Sequence, residues 1–151
     1  NYGAGQIHRL KRTFWLAVGI STLVVTSGQL VGLLFPQWIG RAFTTDPSLI
    51  AEITRCLKIS LCAFTVVGFQ VVSTTLFQSI GKAGASIFLS LTRQVIFLIP
   101  LLLLLPPYIG LDGVWAAFPT SDAFATIVTV IMIAVQMSKF KKAQHIGAEV
   151  C

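Results

Sequence analysis

The chain has 151 residues, 55% of them hydrophobic and only 11% charged, with eleven Lys and Arg against five Asp and Glu. Water-soluble domains carry about 25% charged residues, so this composition excludes water as the main solvent. The net charge of +6 gathers beside the ends of apolar segments, which points to membrane orientation and anionic lipid head groups, not to nucleic acid.

The first twelve residues are polar and basic, with Arg9, Lys11 and Arg12 beside His8, and 1–12 reads as a cytoplasmic loop. The opening has no Met and is loop-like, so the expectation is a piece of a longer polypeptide. Residues 13–38 carry no charge and form the first predicted span, about 39 Å of helix at 1.5 Å per residue. It is too long for a signal peptide and lacks a small-residue cleavage site. Trp15 and Trp38 stand near its ends as interfacial anchors, and Gly28 with Gly32 makes a GxxxG packing signal.

A polar connection follows, in which Thr45-Asp46-Pro47 can start a short helix with Pro in its first turn. The second predicted span is 57–80, with Gln70, Ser73, Thr74 and Gln78 on one side. Gly81 and Lys82 allow only a short reversal, so the third span, 83–105, packs back on the second. Ser86, Ser90 and Arg93 share a face of it, Pro100 kinks it and Pro106-Pro107 end it. The fourth span, 114–137, starts beside Trp115 and is stopped by Lys139, Lys141 and Lys142; 139–151 reads as a cytoplasmic basic tail. Each span suffices for a hydrocarbon core that needs about 20 helical residues. The fold class is an all-α membrane protein with four transmembrane helices in the region 13–138.

Orientation follows from the basic residues. Arg9, Lys11, Arg12, Lys82, Arg93, Lys139, Lys141 and Lys142 fall on one side, against Arg41, Arg55 and Lys58 on the other, which makes both chain ends cytoplasmic.

Asp122 is the most informative residue for chemistry. An ionisable group eight residues into a span is costly to bury and is a functional candidate by default. A polar seam runs from it through Thr126 and Thr129 to Gln136, and Pro119 can open a local kink that exposes carbonyls. Two readings stand: a water-lined path on which Asp122 meets a cation or proton, and an acid hydrogen-bonded to a neighbouring helix. Arg93 either faces a cavity or, the favoured reading, snorkels to the cytoplasmic head groups or makes a helix-end contact. Gln70, Thr74 and Gln78 either line a path or tie helices together, with tying favoured. Cys56, Cys62 and Cys151 show no disulfide or metal spacing, and no catalytic set lies within the spans.

Four segments taken together, NYGAG, FQSIGKA, SLTRQVIFLIPLLLLLP and GLDGVWAAFPTSD, resemble the C-terminal part of bacterial multidrug and toxic compound extrusion (MATE) transporters. The resemblance implies a share of a twelve-helix, two-bundle fold in the bacterial cytoplasmic (inner) membrane. It also implies exchange of protons or sodium for cationic amphipathic small molecules by alternating access. The four spans then correspond to the last four helices, and the partners are membrane lipids, the missing N-terminal helices and the cationic substrates. The family's main coupling acid lies in its first helix, outside this chain, and the acid that some branches carry in helix ten is absent from 57–80. Asp122, Thr126, Gln70, Thr74, Gln78 and Arg93 are the candidate substrate or ion pathway. Two other readings are a lipid-linked oligosaccharide flippase of the same superfamily, which calls for several cavity cations, and a non-transporting four-helix scaffold subunit.

Overall fold

A computed structural model describes residues 1–149; Cys151 lies outside them. Helix α1 spans Ile7–Leu34. It starts earlier than the charge pattern suggests, so Arg9, Lys11 and Arg12 sit on its first turns and not in a loop. Its end is also earlier than residue 38. Pro36 disfavours the α conformation at the residue before it, and Phe35 takes φ −123° and ψ 41°. Pro36 then begins the short helix α2, Pro36–Phe43, which carries Trp38 away from α1.

Helix α3 spans Pro47–Ser60 and α4 spans Thr65–Ser79. Asp46 caps α3, accepting from the Ser48 amide at 2.8 Å and its hydroxyl at 2.7 Å. The predicted second span is therefore two helices, set at 57° across the turn at residues 61–64. No Pro or Gly accounts for this bend. A side chain does: Gln29 of α1 donates to the Cys62 carbonyl at 3.3 Å and accepts from the Thr65 hydroxyl, so it satisfies the broken ladder from outside.

The turn at Gly81 is a helix C-cap motif. Gly81 takes φ +77°, its N–H bonds the Gln78 carbonyl, and the Lys82 N–H reaches back to Phe77 at 2.8 Å. The chain then runs through α5 (Ala83–Leu91), a π-helical segment (Thr92–Leu98), α6 (Ile99–Leu104) and α7 (Pro106–Ile109). Pro100 supplies no N–H, and the wide π turns precede it where an α ladder falls one donor short. Pro106 does not end the span at Leu105; it opens the further turn of α7, which stops at Gly110 with φ +65°. Helix α8, Leu111–Glu149, passes through Lys139 and Lys141, which do not stop it.

Helices Ile7–Leu34, Ala83–Ile109 and Leu111–Lys141 are long and apolar enough to cross a membrane, and the bent pair α3 and α4 makes a fourth if taken as one span. Phe14, Leu76, Phe77, Ile80, Leu89, Ile133 and Phe140 form one buried cluster, on which Ile7 and Leu10 also pack. Tyr2 meets the Phe140 ring at 6.0 Å. The N-terminal segment, the Gly81 turn and the lysine-bearing stretch of α8 therefore share one end of the bundle. At the other end Arg55 of α3 pairs with Asp112 of α8.

Close packing of α1 on α4 runs through Gly68, where an added Cβ lies 3.0 Å from the Ser21–Thr22 backbone. The GxxxG signal on α1 is only half used. Gly32 packs on Leu61, while nothing lies within 4 Å of Gly28.

Candidate functional site

A cavity of about 280 Å³ opens where α4, the α5–π segment and α8 meet, and Gln70, Thr74, Gln78 and Arg93 all line it. Four of the six candidate pathway residues thus share one space. The α4 residues reach it because steps of four keep Gln70, Thr74 and Gln78 on one face. Thr74 donates to the Gln70 carbonyl at 2.9 Å, which leaves its hydroxyl oxygen as an acceptor.

The other two candidates stand behind this lining. Asp122, 6% exposed, accepts the Nε–H of Arg93 at 2.7 Å. This corrects the snorkelling expectation for Arg93: the guanidinium turns to α8, because a carboxylate within the span is a better partner than a distant head group. Thr126 donates to the Asp122 carbonyl at 2.6 Å. The Gln70 amide spans the interface, donating to the Asp122 carbonyl at 2.8 Å and to the Thr126 hydroxyl at 2.7 Å. The seam on α8 is buried through Thr129 and Gln136, and Lys82 closes its far end by donating to Gln136 at 2.6 Å.

Pro119 acts as its chemistry requires. Its ring removes the donor for the Trp115 carbonyl, and the Ser60 hydroxyl of α3 takes that carbonyl at 3.4 Å while α8 stays one helix. Two buried groups have no partner among the described residues, the Thr92 hydroxyl and the Trp115 indole N–H.

Sequence reasoning missed Gln94 and Gln29. Gln94 adjoins Arg93, and an α-helix turns neighbours to different faces; the π turn is wider, and both line the cavity. Gln29 lies 8% exposed within a charge-free stretch, and that isolation was the available signal. Among the described residues no group of three or more His, Cys, Asp or Glu comes together to hold a metal.

The MatE family model matches residues 1–104. The chain belongs to the MatE family. The resemblance read from the four sequence segments is thereby borne out, although GLDGVWAAFPTSD lies beyond the matched residues.

Among curated proteins, the chain is similar to an FAD transporter of Shewanella oneidensis, at 25% identity over 122 residues, covering 81% of this chain and 27% of that protein. It is also similar to a probable multidrug resistance protein NorM of Caulobacter vibrioides, at 30% over 118 residues, covering 75% of this chain and 24% of that protein. The chain thus spans about a quarter of the length of these relatives.

The solved structure of the MATE multidrug transporter DinF-BH, in a ligand complex, superposes with a TM-score of 0.83 at 40% identity, covering 89% of this chain and 30% of that one. An inward-facing MATE family transporter of the MOP superfamily superposes at 0.87 and 20% identity, over 93% of this chain and 33% of that one, and shows the fold alone. Membership of MatE agrees with the long apolar helices of a multi-pass membrane protein.

Proposed function

We propose that this MatE chain forms the last four helices of a twelve-helix multidrug efflux transporter. That transporter exchanges protons or sodium for cationic amphipathic compounds by alternating access in the bacterial cytoplasmic membrane. Both chain ends then face the cytoplasm, and the partners are lipids, the preceding helices and the substrates. In this reading Asp122, Thr126, Gln70, Thr74, Gln78 and Arg93 belong to the substrate or ion pathway.

The observation that carries it is the polar cavity with an ion pair at its wall, inside helices that are otherwise apolar. Such groups are expensive within a bilayer and cluster on transport routes. The names of two of the relatives, both multidrug proteins, support the same reading. A flippase calls for several cations facing the cavity, whereas its lining holds a single one, Arg93. A scaffold subunit has no use for a polar cavity.

The test reconstitutes the full-length carrier in liposomes and follows a cationic dye under an imposed proton or sodium gradient. Gradient-driven dye movement is expected, and its absence under both gradients refutes the proposal. The 151-residue chain alone is expected to move no dye, since half a cavity cannot alternate between two closures.

A further inference from the structure

The cavity's lining limits what it can hold. None of its residues is acidic and none is aromatic. An organic cation finds there neither a counter-charge nor a ring face to lie against. The polar groups around it are amides and hydroxyls, and the single ionised group is the guanidinium of Arg93.

That guanidinium is only partly used. Its Nε–H goes to Asp122, the side chain is 31% exposed, and neither Nη nitrogen has a hydrogen-bond partner among the described residues. Asp122 itself is outside the lining. The carboxylate therefore occupies the Nε side of the fork and leaves the Nη edge available. An open pair of parallel N–H donors matches the two oxygens of a carboxylate, and the match is stronger where water is scarce. The side-chain amides of Gln78 and Gln94 line the same space and make no hydrogen bond among the described residues. Their N–H groups offset the repulsion between Asp122 and a second anion.

We infer that Arg93 is an oxyanion-binding group: the cavity receives the carboxylate of an amphipathic substrate on the Nη edge of Arg93, with Asp122 positioning the guanidinium. The inference rests on the transporter reading above and narrows its substrates to amphiphiles that carry a carboxylate beside any cationic centre.

Two dyes with one ring system separate the cases. One is a rhodamine ethyl ester, a cation; hydrolysing the ester gives a zwitterion with a free carboxylate. Fluorescence polarisation measures the affinity of each for the purified full-length carrier. Arg93→Lys keeps a charge beside Asp122 but loses the fork, and R93Q combined with D122N removes both charges together, so no ion is left unpaired.

The wild type is expected to favour the free acid, and both variants to lower the acid-to-ester affinity ratio by about tenfold or more. A ratio in both variants within about twofold of the wild type, with both dyes still bound, overturns the inference and leaves the transporter reading standing. A wild-type carrier that binds neither dye overturns both.

Discussion

Asp122 and Arg93 are separated by 29 positions in the chain and meet only because the turn at Gly110 folds α8 back beside the third span. Asp122→Leu removes the acceptor and leaves a guanidinium about two-thirds buried without a partner. The expected loss is about 1–3 kcal/mol of stability, read from thermal unfolding in detergent. Asp122→Asn keeps an oxygen for the Arg93 Nε–H, so the fold should survive with a much smaller loss. Dye efflux by D122N from about pH 6 to 8 then tells whether the charge itself takes part, and an unchanged profile removes Asp122 from the pathway. The acid was legible from sequence because nothing else ionisable lies near the middle of 114–137. Its partner was not, since Arg93 has equally good reasons to reach head groups and only packing chooses.

The helix elements follow local rules with few exceptions. Asp46 accepts from the Ser48 hydroxyl and, second, from the Ser48 amide, and these bonds hold its carboxyl below the usual range. A lowered folded-state pKa means that the cap contributes in full above the unfolded value of about 3.9, and is lost as pH falls through the folded one. Protection of the Ser48 amide, corrected for intrinsic exchange, is expected to fall on acidification in that window. Asp46→Asn should flatten the dependence.

The bend between α3 and α4 obeys no local rule, because its cause sits on α1. Gln29→Leu removes the amide that holds the Cys62 carbonyl and the acceptor for Thr65. A destabilisation of about 1–3 kcal/mol is expected, with faster amide exchange confined to residues 61–66. A Gln29→Leu protein as stable as the wild type rejects this account of the bend.

For the whole molecule, the buried cluster from Phe14 to Phe140 brings the N-terminal segment, the Gly81 turn and Lys139 to one end, as the charge count required. Which face of the membrane that end meets is a prediction from the basic residues. Single cysteines placed at Lys82 and at Asp46 in a cysteine-free full-length protein test it with an impermeant thiol reagent in intact cells. Labelling at Asp46 and none at Lys82 is expected; the reverse pattern overturns the orientation.

Apolar runs, prolines, glycines and basic flanks determined by themselves that the chain is all-α with several segments long and apolar enough to cross a bilayer, and they predict that its ends share a side. Those features act within one helix or against the solvent, so their physics is local. Only the tertiary structure decided that Arg93 meets Asp122, that Gln29 bends a distant helix pair, and that Gln94 joins Gln70, Thr74 and Gln78 around one cavity. Within a bilayer a polar side chain must find a partner in the protein, and which partner it finds depends on helices far apart in sequence.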